Sequence, residues 1–298
     1  MSLESGDSLL DFTERLPGKA VIGEQDRNNR IINSSMACLG AYSIVYVSFN
    51  LITSLFAKRY NLLDKRFFYF FKVKFSQDYS VWTTEAVLKT FFWPPFICLL
   101  LGALFLFVQK LMRKRPGIMK LFWLWLSIHY LNFFCTQMAL MPLKSNAQGI
   151  NASYLGVVAD YLFWEDFTKI IFSIVASLLM ILIGFLTAKP FIQISNSTHH
   201  VYTNEHRIYY LFQMVFVPYL VTSAISLIYF ADGSFILNIS LICTLFVTTI
   251  SLFINAMKNR MIMIYRLPET GLIENRFLVI LASVLIFMKI FLNNGIQF

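Results

Sequence analysis

Few residues in this chain are of a type and spacing that could do chemistry. His129, Asn132 and Thr136 recur at i, i+3 and i+7, which places them on one face of a helix. Ser240, Thr244, Thr248, Ser251 and Asn255 follow at spacings of four, four, three and four and mark a second such face. An imidazole beside hydroxyls and amides can relay protons or line a hydrated path. The same groups can instead tie helices together through hydrogen bonds, their ordinary use inside membranes. The spacing alone leaves both roles open for these eight residues.

One cluster has metal-ligand chemistry: His199, His200, Glu205 and His206. Imidazoles and carboxylates suit zinc, but the spacing matches no helical motif such as His-Glu-x-x-His. A solvated or headgroup-facing loop is the simpler reading, and no metal or cofactor is expected. Lys289 is the one charge within an otherwise apolar run near the C-terminus. Ionisable groups at depth are costly, yet a lysine toward the end of a run can extend its stem and keep its ammonium in water. A lysine in a seventh span invites comparison with the rhodopsins, which hold retinal there. The first six apolar runs contain no Asp or Glu, so no counter-ion is at hand and that reading falls. No Gly-x-Ser-x-Gly elbow, phosphate-cradling glycine loop or intramembrane aspartate pair is present. These absences point away from an enzyme.

The elements that must hold these residues follow from hydropathy. The chain has 298 residues, 57% hydrophobic and 14% charged, against roughly 45–50% apolar and 25% charged in soluble domains. Residues 208–231 and 233–257 carry no charge and flank Asp232. About eighteen or more such residues cross a bilayer core as a helix, and lipid forces the helical form because it offers no partner to an open backbone. Seven runs qualify, near 36–57, 90–109, 121–143, 170–188, 208–231, 233–257 and 277–298. The fold class is therefore all-α, a polytopic helical membrane bundle. The prolines Pro94 and Pro95 are read as lying in the first turn of the second span, where they cost little. Ser173, Ser177 and Gly184 share a face of the fourth span, and small residues let helices approach closely, so that helix is expected at the centre. Pro218 inside the fifth span is a candidate kink.

Residues 1–35 form a polar segment. Leu9, Phe12 and Leu16 sit at i, i+3 and i+7 before Pro17-Gly18, which fits a short interfacial amphipathic helix or a disordered tail. The connection 58–89 contains an aromatic, partly alternating stretch, Phe67–Phe75, suited to a strand or to a segment resting at the membrane surface. Residues 144–168 read as a loop. The four cysteines lie in apolar runs without Cys-x-x-Cys spacing, so a disulfide framework is not expected.

The net charge of +9 comes from bases beside the apolar runs, which argues for topogenic and headgroup contacts rather than nucleic acid. Lys and Arg concentrate in 110–120, 189–207 and 258–276, which should be cytoplasmic. The N-terminus then lies inside and the C-terminus outside, with the basic 58–89 connection outside against the rule. A bacterial inner membrane fits the compact loops. Three functions remain: a non-enzymatic subunit or scaffold binding membrane lipids or other membrane-protein subunits; a transporter or channel using the two polar faces; and a lipid-modifying enzyme.

Overall fold

The computed structural model describes residues 19–69, 72–76, 78–111, 118–143, 153–195, 203–230, 235–258 and 273–293. The chain is an all-α bundle with one small β-hairpin. Helix α1 (Lys19–Arg59) is followed by strands β1 (Leu63–Tyr69) and β2 (Lys72–Phe75), then α2 (Thr84–Leu111), α3 (Ile118–Ala139), the short α4 (Tyr154–Tyr161) and α5 (Asp166–Ile192). Helix α6 (Asn204–Leu211) runs through a π-turn (Phe212–Phe216) into α7 (Val217–Tyr229), and α8 (Phe235–Lys258) and α9 (Asn275–Asn293) complete the described chain.

Among the described residues, six helices are long and apolar enough to cross a membrane: Arg27–Arg59, Thr84–Leu111, Ile118–Ala139, Asp166–Ile192, Asn204–Tyr229 and Ile236–Lys258. They coincide with the first six expected runs, and α9 occupies the seventh. The pattern is that of a multi-pass membrane protein. Outward faces carry large apolar side chains such as Leu104, Phe107, Leu178 and Ile228, while hydroxyls and amides such as Ser34, Thr53, Asn132 and Thr136 are buried. A solvent of hydrocarbon favours that arrangement.

Helices α1 and α3 form the centre. Of the apolar window in each, 72% and 78% is buried, against 28% for α5. The expectation that α5 would be central is therefore corrected. Its small-residue seam does bring it close to α8: a Cβ on Gly184 would land on Ser251 Oγ and the Thr248 carbonyl, and 2.9 Å from Leu252 N. That seam is one-sided, and the rest of α5 faces outward with Ile, Leu and Phe.

Two further expectations change. Helix α2 begins at Thr84, with Thr83 Oγ1 accepting the Ala86 N–H and a Glu85–Lys89 ion pair in its first turns. Pro94 and Pro95 consequently lie inside α2, where they remove two N–H groups from the ladder. Residues 144–168 are not all loop. Ser153 caps α4 by accepting the Gly156 N–H, and six of the eight α4 residues are buried. Gln137 of α3 holds this cap, its side-chain oxygen accepting the Tyr154 N–H at 2.7 Å and its carbonyl accepting the Ser153 hydroxyl at 2.5 Å.

Helix α1 starts at Lys19, next to the Pro17-Gly18 stop, and is longer than its apolar run. It stops ahead of Asn61, whose φ of 56° lets Leu62 N–H reach the Ala57 carbonyl and Asn61 N–H reach the Lys58 carbonyl, a left-handed helix stop. The chain then enters the hairpin, paired Leu63↔Phe75 and Tyr69↔Lys72, so the stretch around Phe67–Phe75 is a strand pair. The root of the hairpin packs Phe75 against Phe91 and Tyr154, which puts it at the α4 end of the bundle. Beyond it, Asp78 accepts the Ser80 N–H, and that bond holds its carboxyl below the usual range. Residues Leu9, Phe12 and Leu16 lie outside the described residues.

Candidate functional site

The polar residues converge between α1, α3, α7 and α8. On α1, Ser34, Cys38 and Tyr42 repeat every fourth residue and are all buried, so each presents one turn of the same face. On α3, Trp125, His129, Asn132 and Thr136 meet that face and the inner face of α8. The result is a buried polar column along the bundle axis.

At one end of the column, Trp125 Nε1 donates to Ser34 Oγ at 3.2 Å, and Ser34 donates to the Met214 carbonyl at 2.6 Å. One turn further, His129 Nε2 lies 3.4 Å from Cys38 Sγ. Its ring stacks on Trp125 and meets Tyr42 edge-on at 5.5 Å. Next, Tyr42 donates to Asn238 Oδ1 at 3.3 Å, and Asn238 donates to the Phe230 carbonyl. Asn238 is thus a buried packing residue.

The two faces read from the sequence do meet. Asn132 Nδ2 donates to the Leu241 carbonyl at 3.1 Å, and the hydroxyls of Thr136 and Thr244 are 2.7 Å apart. The remaining members of the α8 face serve the helix itself or α5. Thr244 also bonds the Ser240 carbonyl, Thr248 bonds the Thr244 carbonyl, and Ser251 bonds the Thr248 carbonyl. Asn255 Nδ2 reaches the Phe185 carbonyl at 2.7 Å. Of the face Ser240, Thr244, Thr248, Ser251 and Asn255, Thr244 therefore ties α8 to α3 and Asn255 ties its far end to α5, while Thr248 and Ser251 bond within α8.

Between these contacts remains a cavity of about 10 Å³ lined by Tyr42, His129, Asn132, Thr222, Ser226 and Leu241, among others. That is about the room of one water molecule. Thr222 and Ser226 come from α7, four and eight residues beyond Pro218. The π-turn before Pro218 is where the fifth span breaks its ladder, Val217 N–H pairing with the Phe212 carbonyl five residues back. The sequence signals that would have pointed here are the four-residue repeat Ser34-Cys38-Tyr42 and the pair Thr222-Ser226 downstream of a mid-span proline.

Other candidates lie elsewhere. His199 and His200 fall outside the described residues. Glu205 and His206 are exposed in the first turn of α6, where Thr203 accepts the His206 N–H. Among the described residues no group of three metal-ligating side chains occurs. Lys289 is half-buried on α9 with Nζ 5.4 Å from the ring centroid of Tyr229, the last residue of α7. A lipid-modifying enzyme would need either a carboxylate within reach of His129 or three of the histidines and acids of 199–206 converging on one point. Among the described residues no Asp or Glu is buried, and the neighbours of the imidazole are a thiol and two rings.

No family model matches the chain, and neither a curated protein nor a solved structure matches it.

Proposed function

We propose that this is a non-enzymatic multi-pass membrane protein acting as a subunit or scaffold of a membrane complex, or as a lipid-interacting protein. The observation that carries the reading is the use made of the two polar faces. Asn132, Thr136, Thr244 and Asn255 are engaged in contacts between helices, and the space left among them is a cavity of about 10 Å³. A permeation path needs continuous polar surface with room for a solute. Here the polar groups are used as fasteners, and the large continuous surfaces are the apolar outward faces. Membrane lipids and other membrane-protein subunits are the partners such faces suit, and nothing in the chain calls for nucleic acid.

A second reading, a transporter or channel, is favoured by one observation. The fifth span is broken by a π-turn and Pro218 beside the polar cavity, and broken helices near the midplane are a feature of carriers.

The bilayer we propose is a bacterial inner membrane, with the connections 110–120, 189–207 and 258–276 and the N-terminus in the cytoplasm and the C-terminus outside. Contacts between ends support the sidedness. Arg27 reaches Tyr209, Lys120 reaches the Gln193 carbonyl, Arg207 reaches the Ala256 carbonyl, and the Glu274 N–H reaches Asn33. The base-rich ends therefore share one side, as the positive-inside rule requires.

The test is purification from its membrane in mild detergent, with mass spectrometry of bound protein and lipid, followed by reconstitution. A stoichiometric protein partner or a retained lipid class supports the proposal. A lone monomer that moves ions or small solutes into proteoliposomes overturns it in favour of the carrier.

A further inference from the structure

The cavity between α1, α3, α7 and α8 is lined by two buried polar atoms that lack a hydrogen-bond partner of good geometry, the Cys38 thiol being the one group that approaches the Thr222 hydroxyl. Asn132 Oδ1 and Thr222 Oγ1 are buried without a hydrogen-bond partner, and both residues are 2% exposed and line the same space. The other half of the Asn132 amide is already used, Nδ2 donating to the Leu241 carbonyl, so the oxygen is fixed in place. Hydrocarbon surrounds this bundle, and a lone acceptor or hydroxyl there has no competing solvent. Three more hydroxyls, of Tyr42, Ser223 and Ser226, line the space.

We propose that this cavity is a binding site for a single buried water, which accepts from the Thr222 hydroxyl and donates to Asn132 Oδ1. Its volume admits one such molecule, and the polar groups around it supply the two to four partners a buried water needs. The water joins α7 to α3 just downstream of the π-turn, where α7 has a weakened ladder and Thr222 has no direct bond to α3. The inference goes beyond the scaffold or carrier question and holds under either.

The experiment uses the intact protein in lipid nanodiscs. Radiolytic footprinting generates hydroxyl radicals from bound water in place, and mass spectrometry reads the side chains they oxidise. Phe133 should be oxidised well above Phe91 and Phe191, which are also buried but do not line the cavity, and Tyr42 and His129 should be labelled with it. Thr222→Val, close in shape, should remove that excess. Thermal unfolding gives an independent readout. If water bridges the two residues, Thr222→Val strands the amide oxygen and lowers Tm by about 2–4 °C. If the cavity is dry, Val replaces an unsatisfied hydroxyl and Tm holds or rises. Labelling of the cavity residues no greater than that of the controls, or an unchanged or raised Tm in the variant, overturns the proposal.

Discussion

Ser34 of α1 donates its hydroxyl to the carbonyl of Met214 at 2.6 Å, and Met214 is the residue four positions before Pro218. In an unbroken helix that carbonyl would take the N–H of residue 218. Proline has none, so that carbonyl loses its usual α-helical partner in a setting where water is not available to replace it. The π-turn at Phe212–Phe216 absorbs the geometric consequence, and Ser34 absorbs the electrostatic one. Trp125 Nε1 in turn donates to Ser34, so three helices meet at one repaired break.

Removing the repair should therefore be costly. Ser34→Ala leaves a buried carbonyl unpaired and should destabilise the protein by about 1–3 kcal/mol, read as a drop in unfolding midpoint in nanodiscs. In a Pro218→Ala background the backbone N–H returns and can take the Met214 carbonyl itself. The cost of Ser34→Ala should then shrink, a coupling of about 0.5–3 kcal/mol in a double-mutant cycle. Additive effects would show that the Ser34 bond and the proline are unrelated.

The α5–α8 seam gives a second prediction. Gly184→Ala places a methyl group onto Ser251 Oγ and the backbone of Thr248 and Leu252. The backbone atoms cannot rotate away, so the helices must separate. A loss of about 1–3 kcal/mol is expected, and Ser251→Ala should recover only part of it. Full recovery would mean that side chains alone set the approach.

Much of this fold is legible in the sequence because hydrocarbon imposes a single-valued rule. A long uncharged run must be a helix, and all seven runs fall on helices. The polar faces were legible for the same reason: His129, Asn132 and Thr136 repeat at helical spacing, as do Ser240 through Asn255. Rank within the bundle was not. Gly184 reports close approach to one neighbour, not how many neighbours surround the helix, so α5 read as central while α1 and α3 hold the core. The N-terminus of α2 was read too late because Glu85 and Lys89 end the apolar run without ending the helix. Helix α4 was missed because eight residues are too few for a periodic signal. It is held by Gln137, more than a dozen residues away along the chain. Partners such as Ser34 and Met214 were invisible because they depend on tertiary packing of α1 against a proline break.

The contact between the two polar faces should behave as packing. Thr136→Val and Thr244→Val each lose one side of a 2.7 Å hydroxyl pair. Hydrogen bonds between membrane helices average about 0.6 kcal/mol and reach about 1.7 kcal/mol, so each change should be modest and the double variant less than additive. Binding of any co-purifying partner should be unaffected, measured by pull-down of the variants from the same membranes. If instead the variants keep their stability and abolish solute movement in proteoliposomes, the pair lines a path.

Sidedness can be challenged directly. The sequence between α2 and α3 contains Arg113, Lys114 and Arg115, and Lys120, at the start of α3, contacts the Gln193 carbonyl at the end of α5, as Arg27 contacts Tyr209 of α6. A reporter active only outside the cytoplasm should be silent when inserted in 112–117 and active when inserted in 144–150. The hairpin in the basic 58–89 connection lies at the opposite end, where Phe75 packs on Tyr154, so the proposed sidedness leaves these bases outside against the charge rule. The three loop bases must then outweigh them during insertion. Replacing Arg113, Lys114 and Arg115 with Gln should give a mixed population, with reporter activity appearing in 112–117 and falling in 144–150. Activity at 112–117 in the unmodified chain would invert the whole assignment, because the contacts between helix ends allow the bundle to be turned over only as a unit.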